Sequence, residues 1–352
     1  MSLTAGVGAV TARQLIEAYG SASAVWQASK QDWLAVEGVG PKLAHALEKA
    51  KSEQVSQHIQ SIIEQCEQEN IHILCPDDDT WPKRLERCAD APLLLYAKGE
   101  LSHLNATHIL GMVGARKASA EGKLITRRWA SYVSKQGVVV VSGMAPGIDS
   151  AAHGGSLDAQ SAGIAVLGYG LMAGRPHQKR QIEAMIEQGC VISEYAPDKA
   201  AHPSFFPQRN RLIAGLAQAL LVVEGGLKSG SLITARQALA YGREVFAVPG
   251  SVLNDVHAGC HQLIQDGAIL ATDAQGILQS MHWLNATMTE AKYHPASAIE
   301  AKIIALLRVE IKHVDALAED CALTVPALST ILLTLELGGV IEKLPGSRYT
   351  IS

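Results

Sequence analysis

The sequence predicts an α/β protein with a doubly wound parallel sheet, preceded by a helical region and followed by a winged-helix-like region. Short, unbroken apolar runs alternate with amphipathic stretches between residues 107 and 275, the pattern of successive βαβ units. Residues 1–70 instead carry apolar side chains at helical spacing. At ~150 residues per domain, a chain of 352 residues has room for two or three domains.

The charge of the chain is close to balanced, with a net value of −4. This excludes a polycation that binds nucleic acid through its overall field, so any such site must be a local patch. Residues 1–106 carry a net charge of −5 and residues 276–352 carry −2. The middle, residues 107–275, carries +3 and is where an anionic partner is expected.

The six cysteines form no CxxC pair and no Cys/His cluster at zinc spacing. We therefore expect reduced thiols in a cytosolic protein, most of them filling cores, and no metal site. The first ten residues lack the basic and apolar segments of a signal peptide. No apolar run reaches membrane-spanning length, so no membrane span is expected.

In the helical region, helices are predicted over Thr11–Tyr19 and Pro41–Ala50. A short glycine hairpin precedes each of them, at residues 6–8 and 38–40. The repeat predicts a helix–hairpin–helix or SAM-like domain over residues 1–70. Such hairpins either contact a DNA phosphate through helix-start amides or only pack helices together. The acidic surroundings, with Glu37 beside the second hairpin, favour packing.

The predicted sheet occupies residues 71–275. Amphipathic helices are predicted between its strands over Glu121–Gln136, Gln178–Gln188 and Ser231–Tyr241. Short unbroken runs are typical of strands covered on both faces. The predicted strands are His108–Val113, Val138–Val141, Gly163–Leu167, Cys190–Ser193, Ala219–Glu224 and Glu244–Val248.

Residues 276–296 show no periodicity and are predicted to be a linker. Residues 297–352 predict three short helices and then two strands around Pro345-Gly346. Three helices with a terminal hairpin indicate a winged-helix domain. Its expected recognition helix, Val325–Leu337, contains no Lys or Arg, unlike helices that read the major groove. We therefore expect it to pack against protein and not to read duplex DNA.

The loops after the strands hold the candidate site, because ligands of open α/β sheets bind beyond the carboxyl ends of the strands. After the first strand, Gly114 permits a tight turn, Arg116 and Lys117 add positive charge, and Ser119 is placed to cap the next helix. This is not a GxGxxG motif, and no acidic residue ends the second strand. Ordinary dinucleotide binding is therefore disfavoured and no cofactor is expected.

The loop after the second strand, residues 142–149, brings Gly143 and its neighbours close to any ligand. Asp149 fits a helix N-cap, and His153 follows it by one helical turn. A catalytic Asp/His pair is the alternative interpretation, but no nucleophile stands beside it.

After the fourth strand, Phe205 and Phe206 come just before Arg209 and Arg211. Aromatic rings beside guanidinium groups are typical of single-stranded nucleic-acid binding. The alternative is a Phe pair in the core with structural arginines. After the fifth strand comes a glycine-rich loop that contains Lys228. It is not a Walker A motif, because the lysine precedes Ser-Gly-Ser and does not follow a GxxxxG sequence. Ser229, Gly230 and Ser231 open a helix there and predict an amide nest for one phosphate.

Eight ordered motifs between residues 80 and 272 make the sequence similar to the DprA/Smf family of bacterial DNA-processing proteins. They include VGARKAS, SGMAPGIDSAAH, FPQRNRLIAGL, VVEGGLKSGSLITA and GREVFAVPG. The resemblance implies an extended Rossmann-like core that binds single-stranded DNA without strong sequence preference. It also implies loading of RecA onto that DNA, past single-strand binding protein, in recombination and natural transformation. Homodimers formed through the core are implied as well.

By the same resemblance, DNA contacts fall on Gly114, Arg116, Phe206, Arg209 and Lys228. The sequence departs from the family where Pro146 replaces the usual Arg, and where Met172 and Arg175 replace the usual Asp and Tyr. Arg175 is a candidate to restore the charge lost at residue 146.

Together these patterns predict a non-enzymatic pocket for single-stranded DNA. The alternatives are an enzyme acting on a nucleotide phosphate or ribosyl group, and a scaffold that binds RecA alone. The predicted DNA-binding residues are Gly114, Arg116, Lys117, Gly143, Phe206, Arg209, Arg211, Lys228, Ser229, Gly230 and Ser231.

Overall fold

The computed structural model describes residues 4, 6–174, 178–284, 295, 297–337 and 340–351. The chain divides into two compact units, residues 1–284 and residues 285–352. Each unit has hydrophobic core residues of its own.

The first unit begins with a module of five helices. Gly6 and Gly38 both have φ of +84°, a left-handed conformation that glycine adopts without steric cost. Each is followed two residues later by the N-cap of a helix, Gly8 or Gly40, so the two hairpins repeat one local structure. The helices are α1 Ala9–Tyr19, α2 Ala22–Gln27, α3 Lys30–Leu34, α4 Pro41–Ala50 and α5 Glu53–Gln68.

This helical module is joined to the sheet region through α1. The Arg13 side chain donates hydrogen bonds to the carbonyl oxygens of Ala89, at 2.9 Å, and of Ala91. Leu93 packs against the core of the module, in which Trp33 is buried. These contacts place the start of α1 beside the sheet region, which favours the packing interpretation of the first hairpin.

Among its described residues the sheet region has nine strands, seven of them in a continuous parallel array. The sheet order is β1-β2-β6-β5-β4-β3-β7-β8-β9. The chain runs outward from β3 to β6 and then from β7 to β9 on the other side, so the sheet is doubly wound as predicted. The strands are β1 His72–Leu74, β2 Leu95–Gly99, β3 Ile109–Val113, β4 Val139–Ser142, β5 Gly163–Leu167, β6 Cys190–Ser193, β7 Ala219–Val222, β8 Glu244–Ala247 and β9 Ile269–Leu270.

Helices cover both faces of this sheet. Every residue of β3 to β7 is buried, which explains their unbroken apolar runs. One face packs against helices that include α10 and α11, and the other against helices that include α7 and α8. The bounds are α6 Lys83–Glu86, α7 Ala120–Lys135, α8 Ile148–Asp158, α9 Lys179–Gln188, α10 Phe205–Leu216, α11 Gly230–Ala240, α12 Ala258–Gln265 and α13 Ala274–Ser280, with short 3-10 helices at Leu101–Asn105 and Asp255–His257.

Three of these strands are not predicted by the sequence. β1 and β2 form an antiparallel edge, and β9 has two exposed residues. β1 and β9 are short edge strands without the long apolar runs that mark the central ones. β2 does coincide with an apolar run, residues 93–97, for which no strand was predicted.

The predicted linker over residues 276–296 needs a correction at its start. There α13 packs Ile277 and Leu278 into the core beside Trp283, since these apolar residues follow a helical spacing that the sequence analysis overlooked. Residues 285–294 and 296 of that stretch lie outside the described residues.

The second unit has the predicted winged-helix elements. Its sheet has the order β10-β12-β11, and the turn between β11 and β12 contains Gly346 with φ of +80°. The two-residue strand β10 is an addition to the predicted hairpin. The elements are α14 Ala298–Val309, β10 Lys312–His313, α15 Val314–Asp320, α16 Val325–Leu337, β11 Ile341–Leu344 and β12 Arg348–Ile351.

Two composition-based expectations can be compared with the structure. Four of the six cysteines are buried, namely Cys66, Cys88, Cys190 and Cys260, which confirms their role in cores. Within the described ranges no single helix is both long and apolar enough to cross a membrane; α15 and α16 meet that length and apolarity only jointly, across a 105° bend.

Candidate nucleic-acid interface

An open cleft of about 410 Å³ lies at the carboxyl ends of β3 and β7. These are the neighbouring strands from which the chain winds in opposite directions, and ligands of such sheets bind at that point. The cleft is lined by the loop after β3, by the loop after β7 and by the start of α11. Its lining residues are Val113, Gly114, Ala115, Arg116, Ala145, Asp149, Arg209, Asn210, Gly226, Lys228, Ser229, Gly230, Ser231 and Thr234.

The loop after β3 presents the first cations of the site. A Cβ atom on Gly114 would lie 2.6 Å from the Ile148 side chain and 2.8 Å from the carbonyl oxygen of Glu224. Only glycine therefore lets the loop pack this closely. Arg116 and Lys117 are both exposed, but only Arg116 lines the cleft. Ser119 caps α7, accepting a hydrogen bond of 2.8 Å from the amide of Gly122, as predicted.

An aromatic ring stands beside this cation. The guanidinium carbon of Arg116 lies 5.2 Å from the centre of the Phe206 ring, within the range of a cation–π interaction. Phe206 is half-buried at the start of α10 and contacts the backbone next to Gly168. The structure thus brings together two residues that lie 90 positions apart in the sequence.

The loop after β7 presents the second cation, Lys228, and the start of α11. Lys228 is exposed and lines the same cleft as Arg116. Two of the three amides predicted to form a phosphate nest already have hydrogen-bond partners within the protein. The amide of Ser229 donates to Gly226 at 2.8 Å, and that of Ser231 to the Ser229 hydroxyl at 3.3 Å. Of the three, only the Gly230 amide has no such partner among the described residues.

A buried carboxylate fastens the two loops to each other. Glu224, two residues after β7, is 1% exposed. It accepts hydrogen bonds from the amide of Ser119 at 2.9 Å and from the Ser119 hydroxyl at 2.5 Å. Since a buried carboxylate must be fully paired, these bonds fix the distance between the loops. The sequence shows Glu224 only as the last residue of a strand, so this role was missed.

Arg209 is not placed to bind DNA from solvent, which corrects its prediction. It is 2% exposed, and its guanidinium donates to the carbonyl oxygens of Gly143, at 2.5 Å, and of Val166. A guanidinium at this depth requires such partners. Arg209 therefore ties together the ends of β4 and β5, in the wall of the cleft that it lines.

The backbone of Gly143, also predicted as a DNA contact, is engaged inside the protein. Its amide donates to the Asp149 carboxylate at 3.2 Å, as does that of Ala145 at 3.4 Å, and Gly143 is buried. The N-cap of α8 is Gly147, so Asp149 binds the loop from inside the helix. The sequence places Asp149 correctly near the helix start but not its partners.

The buried pair Asp149 and His153 does not form an accessible catalytic site. Burial raises the pKa of Asp149 to about 6, despite the opposing charge of Arg209. Burial, together with Arg209, lowers the pKa of His153 to about 3. His153 is thus neutral and enclosed at neutral pH, which fits a structural role.

Arg211 does not line this cleft, so the structure does not bring it together with the other predicted DNA contacts. Its side chain is 14% exposed and forms an ion pair with Glu194. It lines a different cleft of about 400 Å³, next to Gly8 and Tyr195. Burial raises the pKa of the Glu194 carboxyl, and Arg211 opposes that shift.

The family departures have separate locations. Pro146 is exposed on the loop after β4, and Met172 lines a smaller pocket with Ile71 and Lys98. Arg175 lies outside the described residues, so the prediction that it restores the positive charge lost at residue 146 stays a prediction. The structure adds Asn210 and Thr234 to the cleft. Asn210 lies between Arg209 and Arg211 in the motif FPQRNRLIAGL, so its position beside two predicted contacts was the sequence signal for it.

Comparison with known proteins identifies the family. Residues 72–282 match the family described as DNA recombination-mediator protein A, and residues 288–347 match the DprA winged helix domain. Protein Smf of Escherichia coli is 39% identical over 290 residues, covering 80% of this chain and 77% of that protein. DNA processing protein DprA of Streptococcus pneumoniae is 41% identical over 202 residues, covering 57% and 71%.

Two solved structures share the fold. The X-ray structure of DprA from Streptococcus pneumoniae superposes with a TM-score of 0.70 at 32% identity, covering 79% of this chain and 95% of that chain. A structure of DNA processing protein A from Helicobacter pylori, reported for its single-stranded DNA binding mode, gives 0.54 at 26% identity, covering 60% and 96%. The matched family consists of recombination mediators, in agreement with the prediction that the protein is not an enzyme. The chain belongs to the DNA recombination-mediator protein A family, also called DprA/Smf.

Proposed function

We propose that this protein binds single-stranded DNA along the cleft at the carboxyl ends of the parallel strands, with little dependence on sequence. The observation that carries the proposal is that Arg116 and Lys228 line one cleft, with the Phe206 ring centre 5.2 Å from the guanidinium carbon of Arg116. In the described part of the chain, neither Arg116 nor Lys228 is engaged in an ion pair, so both charges are available to phosphates. The proposed contacts are Gly114, Arg116, Lys117, Phe206, Lys228, Ser229, Gly230 and Ser231.

The chemistry of these groups accounts for weak sequence preference. Cations and amides bind phosphates, which are the same in every sequence. An aromatic ring stacks on any base, because every base has a π face.

The charge contribution is tested with Arg116→Ala. We expect this variant to bind all single strands more weakly and to reduce by about 1 the slope of log affinity against log salt concentration. Fluorescence anisotropy with oligo-dT and with a duplex of the same length measures both. Lys135→Ala is the matched control, because Lys135 is exposed at the far end of α7. Unchanged affinity and slope in Arg116→Ala would remove that residue from the interface.

The stacking contribution is tested with Phe206→Leu, which keeps apolar volume in the half-buried site. We expect a loss of about 1–3 kcal/mol in binding free energy on oligo-dT. The loss should persist at high salt, since it does not come from counterion release. Equal affinity of the variant and the wild type would show that no base stacks there.

We further propose that the protein acts as a homodimer that loads RecA onto single-stranded DNA, past single-strand binding protein. Its membership in a family of recombination mediators supports this role. The test is RecA filament formation on DNA precoated with single-strand binding protein, with the oligomeric state measured by sedimentation. Loading by a protein that shows no salt-sensitive DNA binding would favour the RecA scaffold instead.

A further inference from the structure

The loop after β8 exposes two aliphatic side chains next to the cleft. Val252 is 86% exposed and Leu253 is 93% exposed. We call these two side chains the apolar tip. Isolated apolar residues are common on surfaces, but two adjacent ones at nearly full exposure indicate a surface that contacts something apolar.

The apolar tip is held by a built framework. The His261 ring lies within hydrogen-bonding distance of the Gly250 carbonyl oxygen, at 3.1 Å. A Cβ atom on Gly250 would lie 2.3 Å from the His257 ring, so glycine is required there. Beyond the tip, the Asn254 amide donates to the Ser251 carbonyl oxygen at 3.1 Å. The tip is therefore presented on a turn anchored at both ends.

The same loop is joined to the phosphate-facing loop after β7. The Gly225 amide donates to the Val256 carbonyl oxygen at 2.8 Å, and a Cβ atom on Gly226 would lie 3.3 Å from the carbonyl oxygen of Asp255. Gly226 itself lines the cleft. Because β3, β7 and β8 are parallel neighbours, their loops leave the same edge of the sheet, β8 being about 10 Å beyond β3.

We infer that the apolar tip contacts the bases of single-stranded DNA where the strand leaves the Lys228 end of the cleft. The inference rests on the proposed function. A stacked strand advances about 3.4 Å per nucleotide, so the tip lies about three nucleotides from Arg116. The exposed Asp255 carboxylate disfavours a phosphate there. Aliphatic side chains bind nucleic acid by packing against base faces.

The test compares the double variant V252S/L253S with wild type. The probes are oligo-dT of about 16 nucleotides and an oligonucleotide with the same phosphates but abasic residues. We expect a three- to tenfold weaker affinity for oligo-dT, of the order that lost apolar burial produces. The affinity for the abasic strand and the salt slope should not change. V309S is the matched control, because Val309 is 83% exposed in the second unit.

The outcomes separate this inference from the proposed function. If wild type fails to bind oligo-dT, the proposed function is wrong. If wild type binds and V252S/L253S binds oligo-dT equally well, only the inference is overturned. An equal loss on both strands also overturns it, because the tip would then act without bases. A shift of the variant to a smaller sedimenting species would assign the tip to a second copy of the chain.

Discussion

At the scale of single residues, the three arginines predicted to bind DNA have different surroundings. Arg116 is exposed over an aromatic ring, Arg209 is buried among carbonyl oxygens, and Arg211 is paired with a carboxylate. The difference follows from desolvation, because a buried guanidinium must replace every lost water contact. Only the exposed one is free to bind a polyanion.

The buried arginine can be distinguished from the exposed one by stability. We expect Arg209→Gln to lower the free energy of unfolding by about 3–5 kcal/mol, because it leaves the Asp149 carboxylate buried without its cation. Arg116→Ala should change it by less than about 0.5 kcal/mol. Urea unfolding followed by circular dichroism measures both, with D149N/R209Q as the control that removes both charges and should recover part of the loss.

The loss of unfolding free energy in Arg209→Gln should increase with pH. Burial already raises the pKa of Asp149 to about 6, and loss of Arg209 removes an effect that lowers it. A carboxyl with a raised pKa in the folded state favours folding when protonated, so its contribution is lost as pH rises. The deficit of Arg209→Gln should therefore be larger at pH 8 than at pH 5. Equal deficits at pH 5 and pH 8 would show that the charge of Arg209 does not act on the Asp149 carboxyl.

At the scale of elements, the crossing of α7 and α8 sets the position of the loops that precede them. A Cβ atom on Gly155 would lie 2.2 Å from the carbonyl oxygen of Arg127, whereas one on Gly154 would have no neighbour closer than 3.8 Å. The helices therefore approach at Gly155 as closely as backbone allows. Both helices begin at loops that border the cleft, after β3 and β4.

The two adjacent glycines give a matched pair of variants. Gly155→Ala should destabilise the protein by about 1–3 kcal/mol, since the added methyl forces the helices apart. Gly154→Ala should be neutral or stabilise by up to about 1 kcal/mol, because alanine favours the helix. Thermal unfolding compares them directly. A similar melting temperature for both variants would mean that the crossing is looser than the structure indicates.

At the scale of the whole molecule, we propose three functional parts: a helical module over residues 1–70, the DNA-binding core over 71–275, and the winged-helix domain over 297–352. The core is the only part with a net positive charge. The helix α16 carries no Lys or Arg, and its Val325 and Leu333 side chains are exposed. A recognition helix that is mostly apolar and has no basic residue is suited to a protein surface and not to a phosphate backbone.

Deletion of residues 297–352 tests this division. We expect affinity for duplex DNA and for oligo-dT to stay within about twofold, since the proposed phosphate contacts lie in the core. Anisotropy titrations give the affinities, and circular dichroism shows whether the remaining chain is folded. A large loss of duplex binding by a folded truncated protein would assign DNA recognition to the winged helix.

The sequence by itself determined the central strands, most of the helices and the loops that carry the site. These follow from local patterns: unbroken Val-rich runs for buried strands, glycine turns and serine caps for helix starts. Tertiary structure alone decided which predicted residues face the cleft. Arg209 and Arg211 are two positions apart, yet one is bonded to carbonyl oxygens in the wall of the cleft and the other lies beside Glu194, outside it. Their surroundings come from strands far away in the chain, and burial, which sets the role of a charge, is a property of the packed fold.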